Sequence, residues 1–180
     1  MALLKNEHIT LRALEPEDLM LLYRLENETS LWTVGNSLAP YSQYVLRQYI
    51  AESRRDIYEL KQLRLIIEVN ETGRAVGLID LFDFDPHNRR SGTGILLDPD
   101  FQGNGIATEA LLLLIEYAFS FLKLHQLYAH IPVGNKPSRA LYARCGFTVA
   151  GTLTDWLADG EGFRDVLAVQ LFSPNSSRDL

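Results

Sequence analysis

Residues 90–131 contain the pattern that most restricts the fold, because a strand, a glycine turn, an apolar helix and a second strand follow one another. Arg90–Asp98 has the composition of a strand, and the turn after it contains Gln102-Gly103-Asn104-Gly105. A helix is predicted from about Gly105 to Leu122, and Gln126–Ile131 is predicted to be the next strand. Two strands joined through a helix pair in parallel within one sheet. The chain is therefore predicted to contain a βαβ unit.

Further strands, hairpins and helices are predicted on both sides of this unit. They are a strand at His8–Ala13, a helix opening at Glu15-Pro16, a helix from Ser42 to about Asp56, a hairpin of Leu63–Asn70 and Ala75–Phe84, a short helix Lys136–Cys145 and a hairpin of Phe147–Trp156 and Phe163–Phe172. This order predicts an α/β (α+β) protein with a mixed, mostly antiparallel sheet flanked by four helices. We expect one domain over residues 1–180, with a flexible tail at 173–180.

Composition argues against several functional classes. The formal net charge of −6 does not suit a nucleic-acid-binding protein, which needs a basic face. The single cysteine, Cys145, excludes an internal disulfide, and no Cys/His cluster has the spacing of a zinc site. The longest apolar run, Ala110–Phe121, is interrupted by Glu116 and is too short to span a bilayer. We expect a cytoplasmic protein that needs no metal and has neither a nucleic-acid nor a membrane partner.

The glycine turn has the chemistry of an anion site, because the first amides of a helix lack internal partners and the helix dipole is positive there. Gly103 and Gly105 allow a ligand to approach the backbone closely. An ordinary tight strand-to-helix turn is an equal alternative. A P-loop is excluded, since no lysine lies between Gly103 and Ile115, and Thr108 stands where a dinucleotide fingerprint needs a small residue.

The distribution of charge supports an anionic ligand near this turn. Residues 117–154 contain no Asp or Glu although the protein is acidic. The same stretch contains the basic residues Lys123, Lys136, Arg139 and Arg144. An anion would be attracted to this half of the molecule, and a chance gap in the acids is the alternative.

Two motifs resemble those of the GNAT acetyltransferases, and they occur in the family's order. Gln102-Gly103-Asn104-Gly105-Ile106-Ala107 is similar to the acetyl-CoA loop Q/R-x-x-G-x-G/A. Asn135…Ser138…Tyr142, followed by Cys145-Gly146-Phe147, is similar to the second half of the cofactor site. The resemblance extends from Ile9 to about Phe172. It implies the GNAT fold, in which the sheet splits near its centre, and acetyl-CoA as co-substrate.

The resemblance also assigns parts of acetyl-CoA to segments of this chain. Amides of the loop are expected to bind the pyrophosphate, and the end of the preceding strand is expected to pair with the pantetheine arm. Asn135 would hydrogen-bond that arm or a nearby water, and Arg144 would meet a phosphate unless it is merely solvated. The implied cofactor residues are Ile95, Leu96, Leu97, Gln102, Gly103, Asn104, Gly105, Ile106, Ala107, Thr108, Asn135, Ser138 and Arg144.

Tyr142 matches the family's general acid, which protonates the CoA sulfur as it leaves. The alternative is a tyrosine that only packs in the core beside Arg139 and Cys145. Cys145 is a poor nucleophile candidate, because the dipole at a helix C-terminus disfavours a thiolate. The scattered histidines are expected to be structural or solvent-facing: His8, His87, His125 and His130.

The resemblance implies that the amine's proton is removed by a carboxylate, or by a backbone carbonyl with a water chain, and the candidate carboxylates lie on the strand Ala75–Phe84. Asp80 is favoured over Asp83, because it lies among apolar residues where an idle carboxylate is costly. The two acids are three positions apart, so only a bulge lets both face the same slot. The alternative is that either acid simply pairs with Arg89 or Arg90.

Within the family the chain is similar to two branches, the spermidine/spermine N-acetyltransferases and the ribosomal-protein N-terminal acetyltransferases. The stretches "ITLRALEPEDL", "GLIDLFDFD" and "GTLTDW" and the Arg89-Arg90 pair favour the polyamine branch. Residues 31–36, Leu-Trp-Thr-Val-Gly-Asn, lack the further acids that polyamine enzymes place after the first helix. The candidate acceptor residues are Glu26, Glu28, Trp32, Tyr41 and Asp83. Trp32 and Tyr41 have an equal alternative role, which is to seal the helix pair onto the sheet.

The sequence thus predicts direct acetyl transfer from acetyl-CoA to an amine, with a polyamine as the leading acceptor. A protein N-terminus is the main alternative, followed by a small amine-bearing metabolite or antibiotic. A non-catalytic acyl-CoA-binding module is the alternative from another class. A homodimer is expected from the resemblance.

Overall fold

The computed structural model describes residues 3–29, 38–160 and 162–174, which form a mixed α/β structure around one sheet. The strands are β1 Ile9–Arg12, β2 Leu63–Val69, β3 Arg74–Asp85, β4 Arg90–Leu97, β5 Gln126–Pro132, β6 Thr148–Asp159 and β7 Gly162–Phe172. The helices are α1 Leu19–Glu26, α2 Gln43–Glu52, α3 Ile57–Leu60, α4 Ile106–Glu116 and α5 Lys136–Arg144. In these ranges no helix has both the length and the apolar character needed to cross a membrane.

The predicted elements are confirmed, with differences at helix boundaries. The hydroxyl of Ser42 caps α2 by accepting from the Val45 amide at 3.2 Å, as its position suggested. The predicted second helix is interrupted after Glu52, and a separate short helix, α3, follows it. The long apolar helix is regular only to Glu116 and continues as a wider turn over Tyr117–Phe121. The predicted flexible tail lies largely outside the described residues.

The sheet has the strand order β1-β2-β3-β4-β5-β7-β6, and its neighbours are antiparallel except for β4 and β5. The parallel pair confirms the predicted βαβ unit. Its register is short, because only Arg90, Ser91 and Gly92 pair with β5, where Gly92 lies opposite Tyr128. Beyond this last pair the two strands separate. We call the gap between residues 93–97 of β4 and 129–132 of β5 the fork.

Alternation along the strands sends side chains into two separate cores. Ile79 and Leu127 belong to the core that also contains buried residues of α4 and α5. Leu78 and Ile66 belong to the core that contains buried residues of α1 and α2. The sheet therefore has an α4–α5 face and an α1–α2 face, and the fork opens between them.

A bulge near the end of β3 changes the direction of its side chains. The pairing with β4 shifts between Phe82 and Asp85, and Asp83 has a left-handed backbone with φ of 48°. A bulge adds a residue to one strand and re-aims the side chains around it. The condition under which both Asp80 and Asp83 can face the same slot is therefore present.

Candidate active site

The glycine turn positions a helix N-terminus without any side-chain cap. Gly103 and Gly105 have φ of 81° and 82°, and α4 begins at Ile106. A Cβ at either glycine would have nothing within 4 Å, so backbone conformation rather than crowding accounts for them. Thr108 is an exception among the predicted amide donors, because its N–H donates to the Gly105 carbonyl at 3.0 Å. The amides ahead of it form the part of the turn suited to an anion.

Arg144 lies beside the same turn, although it belongs to α5. Its Nη1 donates to the hydroxyl of Thr108 at 3.3 Å. A guanidinium and a helix N-terminus converge at this point, and both attract negative charge. This contact between α5 and α4 places Arg144 beside the turn, and its meeting with a CoA phosphate stays a prediction.

Asn135 and Ser138 have a clear structural role at the start of α5. The Oδ1 of Asn135 accepts from the Ser138 amide at 3.1 Å, which caps the helix. This bond fixes the first turn of α5 and so the direction in which Tyr142 and Arg144 project. The motif residues therefore hold the site in place whether or not they touch a ligand.

At the fork the free edge of β4 presents alternate backbone groups toward β5. The Thr93 carbonyl accepts from Tyr142, and the Leu97 carbonyl accepts from the Gln102 side chain at 3.4 Å. The Leu96 carbonyl is directed the other way, toward Gly77 on β3. Of the three predicted strand-end residues, Ile95 and Leu97 therefore offer their backbone to the gap, whereas Leu96 pairs within the sheet.

Tyr142 lies on the α4–α5 face, with its hydroxyl at the fork. The side chain is buried, its ring lies 4.9 Å from that of Phe147, and its hydroxyl donates to the Thr93 carbonyl at 3.0 Å. Burial raises the pKa of Tyr142, the hydrogen bond to Thr93 opposes this, and the charge of Asp80 adds to the rise. The phenol therefore stays protonated at neutral pH. Tyr142 both packs in the core and holds a proton at the gap.

Cys145 has no such preparation for chemistry. Its side chain is buried next to Tyr142 and Phe147 in the same core. Burial raises the pKa of the thiol, so the nucleophilic thiolate is disfavoured. The expectation that it is a poor nucleophile agrees with this environment.

Asp80 occupies an ion cluster on the α1–α2 face. Arg64 of β2 donates to both of its oxygens at 2.8 Å and also donates to Glu26 at the end of α1. The guanidinium lies 5.4 Å over the ring of Tyr49 of α2. We call Glu26, Arg64 and Asp80 the Arg64 cluster. The prediction named Arg89 or Arg90 as the partner of Asp80, but the observed partner is Arg64. Arg90 pairs with Asp85 instead, at 3.4 Å.

This pairing argues against the expected role of Asp80 as the base. Both oxygens accept hydrogen bonds from Arg64, so the carboxylate is already engaged and is a poor base for an incoming amine. Glu26 is engaged in the same way, so it is not a free acidic wall. Two acids and one guanidinium leave the cluster with one formal negative charge.

The other predicted acceptor residues lie apart. Asp83 is exposed on the bulge, and its charge contributes to the raised pKa of Tyr128, whose main cause is burial. Tyr41 is held at the end of α1, because its amide donates to Asn27 at 2.8 Å and its carbonyl accepts from Asn27 at 3.0 Å. Glu28 is exposed near the same helix end. Trp32 lies outside the described residues.

A row of aromatic side chains was not anticipated. Phe82 and Tyr128 have ring centroids 6.3 Å apart, Tyr128 and His130 are 5.7 Å apart, and His130 and Trp156 are 6.3 Å apart. We call these four residues the aromatic row. Gly92 makes room for it, because a Cβ there would lie 2.3 Å from the Phe82 ring.

The sequence contains signals for the aromatic row and for Arg64, but these signals can be interpreted only once the strand pairing is known. The period of two in β5 places Tyr128 and His130 on one side and Leu127 and Ala129 on the other. Arg64 interrupts an apolar strand, but only the observed register, with Arg64 opposite Asp80, identifies its partner. The alternation of residues along a strand shows which face of the sheet a side chain lies on, but it does not show which residue of another strand lies beside it.

Comparisons with known proteins agree with this geometry. Residues 8–148 match the family described as "Acetyltransferase (GNAT) domain". Spermidine N(1)-acetyltransferase of Escherichia coli strain K12 is 28% identical over 165 residues, covering 91% of this chain and 86% of the relative. Putative ribosomal N-acetyltransferase YdaF of Bacillus subtilis strain 168 is 33% identical over 156 residues, covering 84% of each.

Solved structures extend the likeness to the whole fold. The crystal structure of spermidine N-acetyltransferase from Vibrio cholerae in complex with CoA and spermine superposes with a TM-score of 0.84 at 26% identity. It covers 93% of this chain and 97% of the other. The split sheet with its flanking helices is therefore shared along nearly all of both chains.

Proposed function

Because the chain belongs to the GNAT acetyltransferase family, we propose that it transfers the acetyl group of acetyl-CoA directly to a primary amine, with a polyamine such as spermidine as leading acceptor. The observation that carries the proposal is the protonated, buried hydroxyl of Tyr142 at the fork. The relatives named as spermidine acetyltransferases support the choice of acceptor. A module that only binds acyl-CoA would have no use for an acid at this position.

The residues around the fork fit acetyl-CoA. Its pyrophosphate suits the uncapped amides that begin α4, with Arg144 alongside. Its pantetheine arm suits the backbone of Ile95 and Leu97 that faces the gap, where it would extend the sheet in the place that β5 leaves open. The thioester then lies near Thr93, within reach of the Tyr142 hydroxyl.

The acceptor is proposed to enter from the α1–α2 face. Tyr142 and part of the core around it lie on the opposite side of the gap. On the α1–α2 side, β4 presents Gly94, where an added Cβ would meet only a Phe82 ring carbon at 3.7 Å. An amine can thus approach the thioester carbonyl from the side opposite the acid.

Transfer proceeds without a covalent enzyme intermediate. The neutral amine nitrogen attacks the thioester carbon, and the carbon–sulfur bond breaks. The sulfur takes the proton of Tyr142, the new amide nitrogen loses its extra proton to water on the α1–α2 face, and the phenolate is reprotonated from water. Tyr142 must release the Thr93 carbonyl to do this, which the breaking of one hydrogen bond allows.

The Arg64 cluster shapes the preference for charge. One guanidinium offsets one of two carboxylates, so the cluster attracts a cation less strongly than two free acids would. Asp83 and Glu28 are proposed to contribute the remaining acceptor attraction at the surface. A singly charged protein N-terminus is the second candidate acceptor, favoured by this reduced charge and by the ribosomal N-acetyltransferase relative.

The test is release of free thiol from acetyl-CoA with an acceptor panel. The panel contains spermidine, spermine, putrescine, an aminoglycoside and peptides that begin with Ala or Ser. Saturable release with spermidine above the peptides is the expected result. Thiol release with the peptides alone would make a protein N-terminus the acceptor. No thiol release with any acceptor, although acetyl-CoA binds, would refute acetyl transfer.

A homodimer is proposed as the assembly. β6 is an exposed edge strand, and a groove of about 450 Å³, lined by apolar side chains together with Lys136 and Arg139, lies between α5 and the β6–β7 hairpin. Val149, which lines the groove, is 61% exposed. A Vibrio cholerae relative has a structure described as dodecameric, which supports self-association in this family. Sedimentation equilibrium should give twice the chain mass, and Val149→Glu should lower it.

A further inference from the structure

The amine must lose a proton on the α1–α2 face before it attacks. A primary ammonium has no lone pair, so a group near the fork has to accept that proton. Asp80, the carboxylate expected for this task, gives both oxygens to Arg64. The base must therefore be sought among the other side chains that border the fork on this face.

Strand geometry identifies the first such side chain. Tyr128 lies opposite Gly92 in the last pair before the strands separate. Ala129 points into the α4–α5 core, so His130 is the first β5 side chain on the α1–α2 face beyond the point of separation. Across the gap β4 offers Gly94, which has no side chain. The imidazole therefore borders the space proposed for the amine without an obstacle from β4.

The aromatic row holds this imidazole at the fork. Its ring lies 5.7 Å from that of Tyr128 and 6.3 Å from that of Trp156. The side chain is exposed, so an acceptor can reach it. Trp156 reaches it from a bulge of β6, where the pairing with β7 shifts between Leu153 and Leu157. Aromatic faces on either side of the imidazole also suit an alkylammonium group.

We propose that His130 is the catalytic base that takes the proton of the acceptor ammonium. The inference rests on the proposed acetyl transfer and adds a residue to it. An imidazole nitrogen accepts one ammonium proton, which leaves a neutral amine and an imidazolium. The amine attacks as described above, and the imidazolium then returns its proton to solvent. Imidazole changes charge near neutral pH, which suits a general base.

The charged and titratable groups near His130 come from several strands. Tyr128 is its neighbour on β5, and the charges of Asp83, Asp85 and Arg90 act on that tyrosine. The Arg64 cluster lies across Gly94 on β3 and β2. Ala168 of β7, which pairs with His130, carries no charge.

The test compares His130→Gln with a matched histidine variant across pH. At pH 7, His130→Gln should lower kcat/KM for spermidine about 100-fold, the lower end expected for loss of a general base. The difference in kcat/KM between wild type and His130→Gln should become smaller as the pH rises toward the pKa of the substrate amine, because more of the substrate then arrives as the neutral amine. His125→Gln, one residue before β5 and against Phe172, should stay within about twofold of wild type.

Further measurements separate the possible outcomes. Added imidazole should restore activity to His130→Ala, and thermal unfolding should show that both His130 variants fold. A His130→Gln profile within threefold of wild type at all pH values would overturn the inference while leaving the acetyltransferase intact. The inference would also be overturned if Asp80→Asn folded normally and abolished the fall of kcat/KM at acidic pH while the His130 variants retained it. Absence of thiol release by wild type with every acceptor would instead refute the proposed function.

Discussion

The two faces of the sheet differ most where they meet at the fork. On the α4–α5 face Tyr142 is 3% exposed, packed on Phe147 and bonded to the Thr93 carbonyl. On the α1–α2 face the same gap is bordered by the Arg64 cluster and by exposed His130. One face is apolar and its tyrosine hydroxyl is hydrogen-bonded; the other is charged and open to solvent.

This difference shows how one sheet can hold a proton donor and receive a cation. Burial keeps the phenol neutral, because ionisation away from water is costly. An ammonium needs the opposite environment, with acids, aromatic faces and water. The charge of Asp80 on the acceptor's side acts in the same direction as burial, because it also raises the pKa of Tyr142. The following predictions test this contrast, beginning with the largest expected effect.

Removal of the Tyr142 hydroxyl should affect chemistry far more than binding. Tyr142→Phe keeps the ring packed on Phe147 and removes the donor, so kcat should fall about 1000-fold, within the range for a general acid. The Kd for acetyl-CoA, measured by calorimetry, should change little. Tyr58→Phe is the control, because its ring contacts Phe84 away from the fork. An unchanged kcat in Tyr142→Phe would show that the α4–α5 face does not supply the proton donor.

Removal of Arg64 should destabilise the charged face. Arg64→Met leaves two carboxylates close together, and each is only 17–18% exposed. Breaking such a pair should lower the free energy of unfolding by about 3 kcal/mol, measured in urea. Combining it with Glu26→Gln and Asp80→Asn should recover most of the loss. A loss below about 1 kcal/mol in the single variant would mean that water screens the cluster.

The apolar face should lose stability in alkali. Tyrosine in an unfolded chain ionises near about pH 10, whereas burial raises the pKa of folded Tyr142. Below that pH both states keep the proton and the stabilisation is complete. Above it the unfolded state loses the proton first, so stability should fall by up to about 1.4 kcal/mol per pH unit. Unfolding curves of wild type and Tyr142→Phe should converge as pH rises, and parallel curves would contradict the burial argument.

The glycine turn offers the smallest effect and a close control. Gly105 and Gly73 both have positive φ and open space around a Cβ, so Ala should cost each about 1 kcal/mol of stability. Only Gly105→Ala should also weaken acetyl-CoA binding, by about tenfold, because Gly73 lies in the β2–β3 turn. Equal affinities of the two variants for acetyl-CoA would remove the loop from the site.

Local patterns were sufficient to predict most of the fold. Strand alternation, the glycines before α4 and the Ser42 cap are each visible within a few residues, since they depend on backbone geometry and on neighbouring side chains. The wide turn at Tyr117–Phe121 was not predicted, because an apolar run is compatible with either kind of helix. The bulge at Asp83 was also missed, because it depends on how β3 pairs with β4.

The sequence by itself determined that a strand, a glycine turn and a helix follow one another, and its resemblance to the acetyltransferases singled out Tyr142 on the next helix. Only the tertiary structure decided which charges meet. Asp80 is paired with Arg64, 16 positions away, and His130 comes to the fork because β4 and β5 separate after Gly92. Periodicity assigns a side chain to a face, whereas its partner is set by strand register and by packing between distant segments.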